Sequence, residues 1–361
     1  MHPDCRIRGR APSSAVQGED TWVVPQSAVV AAWRFRDEGA APHVIMRTEA
    51  PYSIGDGITW HPKERKLAFT ALSADLKTAG SWVGSIDLET GRYLTHTRED
   101  EAKRWARSPR WSPDGRFLAY VSRRTPVSPS TKDSAKILNV VDMDRGMVSV
   151  VPETRLSVWD TWAWDVDGAT MFCSYGDEGG IWAVNIVTGQ KSLLVADHVM
   201  SWPADVSPAG DALSYLNLHD PMVLHIARRG RSGWTSAPVQ DSGGSNISGF
   251  RLVRSAWVPG GKSLLVLWEA GPGQHQLGRA SMTGRMVEQV SFELPEERVL
   301  ALRAVTGSKA ICVAFSDETS YMSVQEIDFV RGKVAAFAGL GHDALKLLAE
   351  DSEAPVWELG P

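Results

Sequence analysis

Apolar residues in this chain fall in short runs broken by turn residues, and the breaks recur in register. The clearest unit is Trp111-Ser112-Pro113-Asp114-Gly115-Arg116-Phe117-Leu118-Ala119-Tyr120. One apolar strand ends, a Pro-Asp-Gly turn reverses the chain, and a second strand begins. Proline presets the first central turn position and glycine tolerates the positive φ that follows. A fixed offset of seven residues from the Trp to the apolar residue of the second strand locates further copies. Trp60-His61-Pro62 leads to Leu67, Trp164-Asp165-Val166-Asp167-Gly168 to Met171, and Val206-Ser207-Pro208-Ala209-Gly210 to Leu213. Trp257-Val258-Pro259-Gly260-Gly261 leads to Leu264, the weaker Ala304-Val305-Thr306-Gly307 to Ile311, and Ala349 to Val356. The copies start 42 to 53 residues apart.

A second turn phase lies between these copies. Ile86-Asp87-Leu88-Glu89-Thr90-Gly91, Val141-Asp142-Met143-Asp144-Arg145-Gly146, Val184-Asn185-Ile186-Val187-Thr188-Gly189 and Ile327-Asp328-Phe329-Val330-Arg331-Gly332 each read as a strand entering a glycine-bearing hairpin. Looser versions end at Gly230 and Gly284, and one more, Phe35-Arg36-Asp37-Glu38-Gly39, precedes the first Trp copy. The order of landmarks predicts six complete four-stranded units from Gly57 to about Ala338. Two strands over 28–35 and 42–48 and two over 344–349 and 354–359 are then left to join as a seventh. Four-stranded units at this period, set radially, are β-propeller blades. The predicted fold is therefore all-β: a seven-bladed propeller of four-stranded antiparallel blades, its last blade shared by both termini. Six blades with a packed tail is the alternative. Residues 21–361 form one domain in this reading, and 1–20, rich in Arg, Gly, Ser and Pro, form a flexible leader.

The Trp-Ser-Pro-Asp-Gly turn with Leu118-Ala119-Tyr120 behind it, and the Ile-Asp-x-x-Thr-Gly hairpin at 86–91, resemble the repeats of TolB-type and WD-like bacterial β-propellers. The resemblance covers roughly residues 28–359. It implies the fold and leaves function open, since such propellers include partner-binding scaffolds, transport accessories and, with added parts, enzymes.

Composition narrows the classes. The 361 residues carry 38 Lys+Arg against 43 Asp+Glu, a net charge of −5, which argues against a general nucleic-acid or anionic-membrane binder. Cys5, Cys173 and Cys312 are far apart with no CxxC, so neither a disulfide framework nor a zinc knuckle is expected. No apolar h-region follows this start site and no 18-residue apolar run occurs, so the expected location is cytoplasmic, without a transmembrane segment. No Gly-x-Ser-x-Gly elbow and no paired zinc spacing appears, and the reading assigns no catalytic residue, metal or cofactor. Asp142, Asp144 and Glu153 imitate a calcium loop, but Met147 stands where its sharp turn needs glycine. Asp56, Asp160, Asp205 and Glu269 are carboxylates that a channel site could draw on in the competing reading of a propeller hydrolase or lyase, with or without a divalent metal, but each reads first as a turn or capping residue.

The fifteen tryptophans are the more distinctive feature. Those at 60, 111, 164 and 257 occupy one repeat position and are expected to pack between blades. Trp105, Trp159, Trp162 and Trp202 lie in or beside the connections between consecutive blades, with Arg107, Arg110, Asp160 and Asp205 next to them. Tryptophan joins a large apolar surface to one N–H donor and is enriched in binding hot spots. The expected contact surface is Trp105, Arg110, Trp159, Asp160, Trp162 and Trp202, with Arg254 and Arg303 before inner strands. Local loop packing is the alternative for the same tryptophans. The function expected is non-catalytic recognition of a protein or peptide, without nucleic acid. The basic stretches 122–132 and Arg228-Arg229-Gly230-Arg231 read as solvated hairpins, and Asp241-Ser242-Gly243-Gly244-Ser245-Asn246 as a flexible loop without the Lys of a phosphate cradle.

Overall fold

The computed structural model describes residues 21–26, 29–34, 43–48, 52–54, 58–73, 80–97, 105–123, 136–151, 162–174, 179–196, 201–217, 222–248, 254–271, 274–293, 297–304, 309–316, 321–328, 333–341 and 356–357. They contain strands and turns and no helix, so no helix is long and apolar enough to cross a membrane. The predicted leader over 1–20 lies outside the described residues.

The chain divides into two compact units. Unit 1, residues 1–160 with 342–361, holds three sheets. Sheet I runs β1 (Thr21–Gln26), β2 (Val29–Arg34), β3 (His43–Thr48). Sheet II has β4 (Tyr52–Ile54), β5 (Thr59–Trp60), β6 (Lys66–Ser73), β7 (Gly80–Asp87) and β8 (Tyr93–Thr95). Sheet III has β9 (Arg107–Trp111), β10 (Phe117–Arg123), β11 (Lys136–Asp142) and β12 (Met147–Val150).

Unit 2, residues 161–341, holds four antiparallel meanders. Sheet IV is β13 (Trp162–Trp164), β14 (Thr170–Cys173), β15 (Ile181–Asn185) and β16 (Lys191–Val195). Sheet V is β17 (Ser201–Val206), β18 (Ala212–Asn217), β19 (Val223–Gly230) and β20 (Gly233–Pro238). Sheet VI is β21 (Arg254–Trp257), β22 (Ser263–Gly271), β23 (Gln274–Ser281) and β24 (Met286–Glu293). Sheet VII is β25 (Glu297–Ala304), β26 (Lys309–Ser316), β27 (Tyr321–Asp328) and β28 (Lys333–Gly341).

Sheet I departs from expectation in its proportions. Its fourth strand is β29 (Val356–Trp357), so both ends of the chain do share one sheet. Among the described residues the N-terminal side gives this sheet three strands and the C-terminal side one, and β29 pairs with β3 in parallel, Val356 opposite Arg47. Strand β1 was hidden by Pro25, which removes a ladder donor; as the edge strand of its sheet, β1 tolerates it. The expected strand at 344–349 lies outside the described residues. Sheet II departs too: β4 and β5 both pair with β6, so its first strand is broken in two.

The two turn phases have local causes. In the first, the residue after the Trp position donates its N–H to the carbonyl five residues on, in five sheets: His61 to Lys66, Ser112 to Phe117, Asp165 to Thr170, Ser207 to Ala212 and Val258 to Ser263. Ser112 Oγ accepts from the Phe117 amide at 2.9 Å, and Ser207 Oγ from the Ala212 amide at 3.0 Å. In the second phase an Asp carboxylate oxygen or an Asn carboxamide oxygen caps its own turn. Asp87 Oδ1 accepts from the amides of Glu89 and Thr90, Asp142 Oδ1 from Asp144 and Arg145, and Asn185 Oδ1 from Val187 and Thr188. The calcium-like Asp142 is thus a turn residue, and Arg116 pairs with it at 3.3 Å.

Four consecutive pairs of sheets, II with III in unit 1 and IV with V, V with VI and VI with VII in unit 2, share apolar clusters. Ala68 and Val83 of sheet II pack with Trp111, Leu118, Tyr120 and Val141 of sheet III. Phe172 meets Leu213 and Tyr215 between sheets IV and V, Ile226 meets Trp257 and Val266 between V and VI, and Leu265 meets Ala304 and Ile327 between VI and VII. Of the four tryptophans at the repeat position, Trp111, Trp164 and Trp257 are buried and Trp60, on the two-residue strand β5, is half-buried; Trp257 Nε1 donates to the Asp205 carbonyl at 3.1 Å.

Candidate functional site

The connection from sheet II into β9 is built differently from a relaxed loop. Trp105 and Ser108 hold φ of +61° and +56°, and among the described residues they alone, apart from glycines, have positive φ. A side chain with a Cβ costs roughly 1–2 kcal/mol in that region, so surrounding contacts must impose it. They come from sheet II. The Ala106 amide donates to the Ser81 carbonyl at 3.2 Å, Ser81 Oγ donates to the Ala106 carbonyl at 2.8 Å, and the Ser108 amide donates to Thr70 Oγ1 at 3.2 Å. Ser81, Thr70 and Ala106 are all buried, where hydrogen bonds hold geometry well. The result is a Trp105 side chain left 50% exposed on a pinned backbone.

The same segment carries a bulge. Arg107 lies opposite Val121 and Arg110 opposite Ala119, with the register shifting between them. Cross-strand partners share a face, and Val121 and Ala119 are two residues apart on β10. The bulge therefore brings Arg107 and Arg110 to one face of sheet III, although a spacing of three in a regular strand would oppose them. Arg110 is exposed and Arg107 half-buried. A half-exposed tryptophan so held offers an apolar surface and one N–H donor.

The other expected contact residues fall elsewhere. Trp162, the first residue of β13, is fully buried and meets Trp164 edge-on at 6.0 Å; it belongs to the core, which corrects its assignment to the surface. Trp202 sits on β17 opposite Leu216, Arg254 on β21 opposite Leu267, half-buried, and Arg303 on β25 opposite Ile311. These first strands are neighbours in unit 2: β13 packs beside β17, β17 beside β21, and β21 beside β25. Trp159 and Asp160 lie outside the described residues, as do Asp56 and the stretch 124–132. The structure thus brings together Trp105, Arg107 and Arg110, in unit 1. Glu269 pairs across to His275, and among the described residues no cluster of three His, Cys, Asp or Glu is placed to hold a metal. The basic tip of sheet V is partly used internally: Arg229 binds Asp165 at 2.7 Å and stacks on Trp234 at 4.9 Å.

Two groups have displaced titrations. Desolvation lowers the half-buried His96, beside Ser85 Oγ at 2.7 Å, to about 4, and burial raises the Cys173 thiol to about 12, which keeps it protonated and inert.

No family model and no curated protein matches the chain. Solved structures do. A prolyl endopeptidase matches with a TM-score of 0.57 at 15% identity, over 93% of this chain and 50% of that one, so this chain spans about half the length of the endopeptidase. Oligogalacturonate lyase in complex with manganese matches with a TM-score of 0.55 at 13% identity, over 92% of this chain and 83% of that one. TolB from Acinetobacter baumannii matches with a TM-score of 0.46 at 12% identity, over 85% and 82%. At such identities the likeness shows the fold alone, and that fold is the β-propeller.

Proposed function

We propose that this protein is a non-catalytic recognition propeller, its seven sheets being seven blades, that binds a protein or peptide segment at the Trp105–Arg110 connection. The observation that carries the reading is Trp105 itself. A half-exposed tryptophan, held at φ +61° by buried hydrogen-bonding groups of the preceding sheet, is strain that packing does not need. A rigidly presented aromatic ring loses little entropy on binding, which is what a hot spot requires. The prolyl endopeptidase and the manganese-bound lyase point toward an enzyme by name only, at identities that carry architecture and no chemistry.

Selection of displayed random dodecapeptides on the intact protein tests the reading. Enriched peptides are expected to lose about tenfold or more in affinity on Trp105→Ala, with unfolding free energy kept within ~1 kcal/mol because the ring is half exposed. Peptides that bind the variant equally well overturn the site. A stoichiometric manganese ion whose removal by chelator lowers the melting temperature overturns the non-catalytic reading in favour of a channel enzyme.

A further inference from the structure

We propose that the contact between sheets II and III is an acid-sensitive latch: a proton taken up by His61 releases β9 and with it the strained Trp105 connection, so that recognition there is lost as pH falls. This regulation rests on the recognition reading above. Its basis is the geometry of one ring. His61 is buried in the turn between β5 and β6, and both of its nitrogens are engaged. Nδ1 accepts from the amides of Lys63 and Glu64 at 3.2 and 2.9 Å, so the neutral ring carries its proton on Nε2, which donates to the Gly115 carbonyl of sheet III at 3.1 Å. A second proton has to enter at Nδ1, where it points at two N–H donors. The charged ring loses both acceptor bonds and is driven out of the turn. With it go the bond to Gly115 and an edge-on contact with Trp111 at 4.7 Å.

Trp111 is the last residue of β9, the strand by which sheet III packs on β5, β6 and β7 of sheet II. At the other end of β9 is the Trp105 connection, held to Ser81 and Thr70. Ala106 and Trp111 share one apolar cluster with Ala68 and Val83 of sheet II, so both ends of β9 are seated on one packed surface. The positive φ of Trp105 and Ser108 persists only while that seat imposes it. The charges that bear on His61 come from its own turn: Glu64 favours the charged ring, Lys66 and Lys63 oppose it, and Lys66 pairs with Glu64. Across the contact, the charged neighbours of Gly115 are spent within sheet III. Asp114 Oδ1 accepts from Ser112 Oγ and the Arg116 amide, and Arg116 pairs with Asp142 at 3.3 Å. Burial is the largest influence and pulls the ring below its ordinary 6.5. A ring that is neutral when latched and ordinary when released favours release below 6.5, by at most about thirtyfold at pH 5.

Amide exchange at Ala106 and Ser108, whose N–H groups bind Ser81 and Thr70, reads the latch without any partner. Their protection factors are expected to fall about tenfold between pH 7 and pH 5. That of Asp165, which takes the place of His61 in the corresponding turn of sheet IV, is expected to hold. His61→Asn keeps an acceptor for both amides and does not titrate, so its Ala106 and Ser108 are expected to be equally protected at both pH values. His96→Gln is expected to leave the fall in place, which keeps the test if His61→Asn does not fold. Dodecapeptides selected at pH 7.5 and free of Asp, Glu and His are expected to lose about threefold or more in affinity for the intact protein by pH 5, and nothing for His61→Asn. Protection that does not change, or whose fall is abolished by His96→Gln, overturns the latch and leaves the recognition site standing. Protection that falls while affinity stays level overturns the regulation. A peptide pool that does not depend on Trp105 removes the recognition reading, and the exchange result then still decides whether His61 holds β9.

Discussion

The joint between sheets II and III and the joint between sheets IV and V are the same turn-on-turn contact made from different chemistry. In unit 1 the residue after the repeat tryptophan is His61. Its Nδ1 accepts from the amides of Lys63 and Glu64 at 3.2 and 2.9 Å, which places the proton on Nε2, and Nε2–H donates to the Gly115 carbonyl at 3.1 Å. The ring stands edge-on to Trp111 at 4.7 Å. In unit 2 the same position is Asp165, buried, whose Oδ1 accepts from the Val166 amide while Oδ2 takes Arg229 of sheet V. The repeat dictates the backbone turn and the glycine of the neighbouring turn. The side chain between them is free to change, provided it satisfies the adjacent sheet.

The largest expected effect separates a joint glycine from an ordinary one. Gly115 and Gly146 both have positive φ, +80° and +64°. A Cβ at Gly115 would lie 2.3 Å from His61 Nε2, whereas at Gly146 it would meet nothing within 4 Å. Gly146→Ala is expected to cost ~1 kcal/mol, the backbone penalty alone, and Gly115→Ala ~3 kcal/mol, because it also expels His61. Gly210→Ala falls between, at ~2 kcal/mol, since its tightest contact is with the exposed Val166 side chain, which can turn away, and Asp165 Oδ1 lies 3.3 Å off. Denaturant midpoints followed by tryptophan fluorescence check the order. Equal losses at 115 and 146 would show that the joint does not matter.

Acid sharpens the comparison next. Burial lowers the pKa of His61 below its ordinary value and that of His96 to about 4. The fold favours the neutral ring in both, so the unfolded chain takes up more protons below 6.5 and stability rises with pH there. The contribution is complete above about 6.5 and is lost as pH falls toward about 4, on the order of 2 kcal/mol for His96 after allowance for the ring's residual solvent contact. His96→Gln is expected to flatten the fall of melting temperature between those values. His61→Asn retains an acceptor for the Lys63 and Glu64 amides while removing the titration, and is expected to flatten it by less. A profile unchanged in both variants would place the acid sensitivity elsewhere.

The unit 2 joint answers to a different substitution. Arg229→Gln strands the buried Asp165 carboxylate and is expected to cost ~1–2 kcal/mol, less than the loss of a fully buried partner because Arg229 is itself 46% exposed. Asp165→Asn/Arg229→Gln is expected to recover part of it, since the stranded charge is then gone.

Turns of both phases were legible in the sequence because their chemistry is local: a proline, an Asp or Asn that caps its own amides, a glycine at positive φ. Trp162 was legible too, and misread. It stands two residues before Trp164, and side chains two apart in a strand share a face, so a buried Trp164 implies a buried Trp162. The Trp105 geometry was not legible. It depends on Ser81 and Thr70, hydroxyls 25 and 38 residues away in sequence from their partners, and on a bulge that no residue between Arg107 and Arg110 announces. The parallel strand β29 was located within the expected 354–359, but its direction depends on pairing across nearly the whole chain.

The smallest effect isolates one proton. Trp257 and Trp111 fill the same repeat position and are equally buried, so Trp→Phe removes a similar apolar area from each. Trp257 Nε1 donates to the Asp205 carbonyl across the V–VI joint, whereas Trp111 Nε1 finds no partner among the described residues. Removing a donor that is bonded costs about 1 kcal/mol beyond the packing loss and also strands the carbonyl; removing a buried donor that is unbonded relieves a desolvation penalty of similar size. Trp257→Phe is therefore expected to be the more destabilising of the two by ~1–2 kcal/mol, with Trp111→Phe near neutral. Equal losses in the two variants would mean that His61, standing against Trp111 on unit 1's joint, supplies through its ring what the Asp205 carbonyl supplies on unit 2's.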